Sequence, residues 1–181
     1  SGNFQPAEDQ NESFAPDAIE LEAQSKIGEW FGTTQSQMQV LISADAADVI
    51  TLDGLAASTA IEEAIRGSDF ADLLIDRPDT PAVVGYMAPI QFAVAGGATV
   101  PGSDAEVKGL YTSSFSSADP TTQQFLSLLV PSNADPSTAT ADLGLLIITY
   151  ESSEDFDVAA QRAGAAAAII ESAALPASIT A

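Results

Sequence analysis

The 181-residue chain contains no cysteine and no histidine. The first absence excludes disulfides and thiol nucleophiles, and the second excludes imidazole acid–base catalysis. Together they remove every zinc, haem or iron–sulfur site built on those ligands. Positive charge is nearly missing as well. Lys26, Arg66, Arg77, Lys108 and Arg162 are the five cations, set against 26 Asp and Glu, for a formal charge of −21. Binding to nucleic acid or to anionic lipid requires the opposite sign. Aromatic residues make up 7%, with one Trp, and the longest apolar stretches are short ones such as Leu143 to Ile148. Spanning a bilayer takes about 20 predominantly apolar residues, so no segment here is expected to cross a membrane.

What is present is enough for one folded domain. Hydrophobic residues account for 46% of the chain, although 33 of them are Ala, which bury little area each. A charge of −21 strains a compact fold in dilute buffer, whereas at molar salt the Debye length falls to about 3 Å and the repulsion is largely screened. Two Lys, abundant acids, many Ala and few aromatics together look like a protein of an extreme halophile.

The chain opens on Ser1-Gly2 without Met, so its first residues are not read as a natural terminus. Residues 1–16 are polar, acidic and interrupted by Pro6 and Pro16, which predicts an extended arm. A helix follows from Asp17 to Phe31, closed by Gly32, with Ile19, Ala23, Ile27 and Trp30 on one stripe. Alternation predicts a strand over 38–43, and Thr51 to Arg66 a second helix. Beyond an Asp-rich loop, 82–87 reads as a strand stopped by Pro89. Residues 88–140 form an irregular insert with short helices near 88–95, 104–112 and 120–130; Asp119 caps the last and Pro120 takes its first position. Leu143 to Tyr150 is the strongest strand, and a long helix capped by Ser153 runs to about Ala174. Its expected buried face is Phe156, Ala160, Ala163, Ala167 and Ile170, and a strand stub over 177–181 ends the series. Residues 17–181 therefore read as a single α+β domain. Without the leading helix and the insert, the order is βαββαβ, the ferredoxin-like plan of a four-stranded antiparallel sheet with two packed helices. A doubly wound parallel sheet ranks second.

Chemistry is hard to find in these residues. No nucleophile elbow, phosphate loop, dinucleotide turn, metalloprotease helix or EF-hand is present, and no catalytic residue is assigned. Asp69, Asp72, Asp76 and Asp79 cluster in one loop, and Glu151, Glu154, Asp155 and Asp157 around a helix start. Hard cations take such ligands, but in so acidic a chain these runs read as solvated surface, and no metal or cofactor is expected. Asn11-Glu12-Ser13 is a glycosylation sequon in the arm. The candidate binding residues are Phe92, Tyr111, Phe115 and Phe125, aromatic side chains concentrated in the insert. The competing reading is that these rings pack against the sheet or one another as a satellite core.

The order of features resembles the ectodomain between the first and second membrane helices of the RND superfamily, in its MMPL-like exporter branch. Ser13-Phe14-Ala15-Pro16-Asp17 stands for the phrase that follows the first membrane helix, and Trp30-Phe31-Gly32 for the end of an amphipathic helix. Met38 to Ser43 supplies the strand, Val49 to Asp53 the next helix start, and Val83 to Pro89 a later turn. The resemblance implies a non-catalytic, ferredoxin-like porter domain on the extracellular face of the cell membrane. It would help gather or pass a hydrophobic or amphiphilic molecule, a small molecule or a lipid. Its partners would be the rest of the transporter chain, namely membrane helices and a second ectodomain. The proton-relay carboxylates of such transporters lie in membrane helices, so no acid of this chain inherits that role. The alternatives are a free-standing halophilic cell-envelope binding module and, behind it, an enzyme working with carboxylates or an oxygen-ligated cation.

Overall fold

The computed structural model describes residues 35–77, 80–131, 134–135, 137–153 and 155–181, which belong to one unit, Gln35–Ala181. The expected arm, the helix 17–31 with Trp30, the sequon at Asn11, and the acids Asp79 and Glu154 lie outside the described residues.

Two long strands form the centre of an α+β architecture. β1 (Gln35–Ala44) and β3 (Leu143–Glu151) pair antiparallel over nine positions, from Gln35 opposite Glu151 to Ser43 opposite Leu143. The short strand β2 (Val83–Gly85) pairs antiparallel with β3, and β4 (Ile179–Thr180) pairs antiparallel with β1. The sheet order is β2-β3-β1-β4. It follows that β2 runs parallel to β1 with β3 between them, and β4 parallel to β3 with β1 between them.

Strand alternation divides the sheet into two unlike faces. On one, Val40 and Ile42 of β1 meet Leu146, Ile148 and Tyr150 of β3, all buried. Helix α1 (Leu52–Arg66) adds Ala57, Ile61 and Ile65 to the same core, which places its apolar stripe at spacings of four. Thr51 caps α1 by accepting from the Gly54 amide, a local feature that fixes where the helix starts. Helix α5 (Phe156–Glu171) packs against α1 and contributes Ala166 and Ile170.

The insert between β2 and β3 contains three helices: α2 (Ala88–Ala95), α3 (Asp104–Ser117) and α4 (Pro120–Ser127). It is continuous with the main core, since Ile90, Val107, Tyr111, Leu126 and Leu129 join the cluster that contains the sheet residues. The Asp-rich segment after α1 is more than a loop. Residues Asp69–Leu73 wind into a 3₁₀ turn that buries Phe70 edge-on against Tyr150, with ring centroids 5.1 Å apart. Apolar Phe70, Leu73 and Leu74 alternate with the acids there, so one side packs while the carboxylates stay in water.

Helix α5 departs from the expected face. Its cap is Asp155, not Ser153, and Phe156 is 83% exposed, with Ala160 exposed beside it. The helix is seated by its later turns, where Ala166 and Ile170 enter the core, and by Arg162, whose guanidinium donates to the carbonyls of Glu151 and Ser152 at 2.6 and 2.9 Å. Extended backwards at helical spacing, that stripe passes through Ala163 and Ala159 to Phe156, but Phe156 is the first residue of the helix, more than two turns before the buried Ala166, and there it meets solvent.

Candidate functional site

The four aromatics of the insert fall into two pairs. Tyr111 and Phe115 lie one turn apart on α3, with their rings stacked at 6.3 Å and 9° between planes. Tyr111 is 2% exposed, and burial pushes its phenol up to about 12, so it stays protonated and uncharged. Tyr111 belongs to the buried core, and Phe115 is partly buried against it.

Phe92 and Phe125 behave differently. Phe92 on α2 is 47% exposed and Phe125 on α4 is 36% exposed. The two come together across a cleft of about 350 Å³ whose other lining residues are Thr80, Pro81, Val84, Thr121 and Thr122. The lining thus combines an aromatic ring from each of two helices with apolar surface from Val84 of the edge strand and with three threonines, of which Thr122 donates its hydroxyl to Asp119. A small number of hydrogen-bonding groups on a mostly apolar surface is the usual make-up of a small-molecule site.

Local sequence holds each part in place. Asp119 caps α4, accepting from the amides of Thr121 and Thr122 at 2.9 and 3.1 Å, and from the Thr122 hydroxyl at 2.6 Å. Those hydrogen bonds lower the Asp119 carboxyl below its ordinary value. Pro120 follows in the first turn, where its missing N–H has no partner to lose. Pro89 does the same for α2, the helix that presents Phe92.

The placement of Thr80 and Pro81 depends on contacts far apart in sequence. Arg66 at the end of α1 holds Asp76 through two hydrogen bonds of 2.9 and 3.0 Å, and Glu62 through a third of 3.0 Å. Asp76 accepts in addition from the Ala82 amide at 2.8 Å. The Arg66 guanidinium, with help from that amide, holds the Asp76 carboxyl down at about 2. This clamp fixes the segment that delivers Thr80 and Pro81 to the cleft. Glu62 also accepts from the Gln91 side chain, the residue next to Phe92. A second clamp ties the insert to the start of α1. Lys108 of α3 pairs with Asp48, which accepts from the Ile50 and Ala141 amides, and the Leu52 amide donates to Asp104 at 2.8 Å.

No protein-family model, curated protein or solved structure matches the chain. The site is therefore read from its own chemistry.

Each cation among the described residues is engaged. Arg66 and Lys108 hold carboxylates, Arg77 donates to the Gln35 side chain, and Arg162 donates to backbone carbonyls. Among the described residues no three carboxylates converge in a way that would ligate a metal ion, and no helix is long and apolar enough to cross a membrane. Sequence reading placed Asp76 in a solvated acidic cluster; its role as the partner of Arg66 was missed. The aromatic enrichment of the insert found Phe92 and Phe125, but nothing in their spacing of 33 positions separates them from Tyr111 and Phe115. The threonines of the lining carried no signal beyond the Asp119 cap.

Proposed function

We propose that this chain is a non-catalytic extracellular domain of an RND-type exporter, adapted to high salt, whose Phe92–Phe125 cleft takes up part of a hydrophobic or amphiphilic molecule. The observation that carries the binding half of this reading is the cleft itself: two partly exposed aromatic rings from separate helices face a common apolar space. Exposed rings held by rigid elements offer contact area with little ordering cost on binding.

The transporter half rests on topology and on the order of sequence features. A sheet of order β2-β3-β1-β4, with β1–α1–β2 and β3–α5–β4 each joining parallel strands that have another strand between them, is compatible with the ferredoxin-like βαββαβ plan. In this reading the ion gradient that drives transport is used in membrane helices of the whole protein, and a second ectodomain completes the path. The chain by itself binds and does not transport.

Two experiments test it. The first titrates the chain with N-phenyl-1-naphthylamine, an uncharged apolar fluorophore, in molar KCl. The expected result is saturable enhancement that weakens by about tenfold in Phe125→Ala and in Phe92→Ala, a loss of about 1.4 kcal/mol each. Unchanged binding in both variants would remove the cleft from the proposal. The second reads the coding sequence on either side of this stretch. Apolar segments of about 20 residues flanking it are expected, and their absence rejects the exporter while leaving a binding module standing.

A further inference from the structure

Opposite the helix-covered core, the sheet presents a second face. Alternate residues of β1 from Gln35 to Ser43, and of β3 from Leu143 to Glu151, line it. Of these ten positions only Glu151 carries a charge, in a chain whose net charge is −21. At that same corner Arg77 donates to the side chain of Gln35, the residue opposite Glu151, and Arg162 donates to the Glu151 carbonyl. The middle is apolar. Leu41, 65% exposed, is opposite the half-buried Leu145; Leu143, 39% exposed, is one pair further along; and the half-buried Ile147 adjoins Val84, which is buried beside the cleft and bounds the open surface there. Among the described residues no helix covers Leu41 or Leu143.

We propose that this face is where two copies of the chain pair, sheet against sheet, in a weak dimer that salt strengthens. Two observations choose a second copy as the occupant. The first is charge. Two bodies that each carry −21 repel wherever their acids face one another, and this almost uncharged surface lets copies approach without burying carboxylates. A two-fold interface uses the same patch on both partners, so a neutral apolar patch is complementary to itself. The second is size. Nine paired residues at about 3.3 Å, on two strands about 4.8 Å apart, give roughly 300 Å² of flat surface per copy before side-chain relief is counted. Two copies then bury about 600 Å² of flat surface, less than a standard-size interface and in the range of weak, transient contacts. That size predicts association at micromolar or higher concentration, not a permanent dimer.

The absence of native cysteine supplies the test. Leu41→Cys and Gln39→Cys each place a single thiol on the face, and Phe156→Cys places one on an exposed position of α5 as a control. Maleimide labelling of the full chain is followed in molar KCl from low micromolar to near-millimolar protein. The expected result is that labelling at positions 41 and 39 slows by about tenfold as protein concentration rises, and that labelling at position 156 does not. Sedimentation velocity should show the dimer growing over the same range, shrinking when salt is lowered, and lost in Leu41→Asp. Fast labelling at every concentration would overturn the proposal by showing the face bare. Slow labelling at every concentration would overturn it by showing the face covered within one chain. A dimer that survives Leu41→Asp would place the interface elsewhere. None of these readings depends on the cleft, so the binding proposal stands or falls separately.

Discussion

The phenol of Tyr86 donates a 2.8 Å hydrogen bond to the carbonyl of Gly54, joining the turn after β2 to the first turn of α1. Two glycines make room for this contact. A Cβ on Gly54 would sit 1.8 Å from the Val49 carbonyl oxygen, and one on Gly144 would sit 2.4 Å from the Tyr86 ring. Burial pushes the Tyr86 phenol far above its ordinary value, so it remains a donor at any pH the fold survives. Gly144→Ala should therefore destabilise the protein by about 1–3 kcal/mol through overpacking, and Tyr86→Phe by about 1 kcal/mol through the lost hydrogen bond. Urea unfolding at fixed molar salt checks both.

The Arg66–Asp76 clamp gives the acid limb of stability a defined origin. Asp76 has a folded-state pKa of about 2 against an ordinary 3.8, so its contribution is fully present above 3.8 and is lost as pH falls through 2. Both side chains are more than a third exposed, which keeps the expected effect below about 1 kcal/mol. Asp76→Asn should flatten the stability profile between pH 4 and pH 2 while leaving the rest of the curve parallel to wild type. Thermal unfolding across that window measures it.

Ser58 sits on the buried face of α1, 1% exposed, and its hydroxyl finds no hydrogen-bond partner among the described residues. A buried hydroxyl without a partner costs free energy, and Ala is the better helix former. Ser58→Ala should raise stability by about 0.5–1 kcal/mol. A loss of stability in denaturant unfolding would show that the hydroxyl is satisfied in solution.

Net charge sets the response to salt. Lowering ionic strength from about 1 M to about 10 mM lengthens the Debye screening distance from about 3 to about 30 Å, which exposes the mutual repulsion of the carboxylates. The expected outcome is a melting temperature that falls steadily across that range. A melting temperature that stays constant would contradict the reading of this surface as adapted to brine.

The sequence by itself determined what depends on composition and on near neighbours. It excluded thiol and imidazole chemistry, and its alternation placed the central strands to within a few residues. The Asp119-Pro120 start of α4 was equally legible, because a cap is made by residues two or three apart. The helices of the insert were found near their observed positions for the same reason. Tertiary structure decided everything that joins distant parts. It brought Phe92 and Phe125 to one cleft and stacked Tyr111 on Phe115, gave Asp76 to Arg66, and seated α5 on Ala166 and Ile170 so that Phe156 points into solvent. A period in the sequence says that a helix has an apolar side, but the depth and rotation at which that side meets the sheet depend on partners more than a hundred residues away in the chain, and only the folded packing of both selects them.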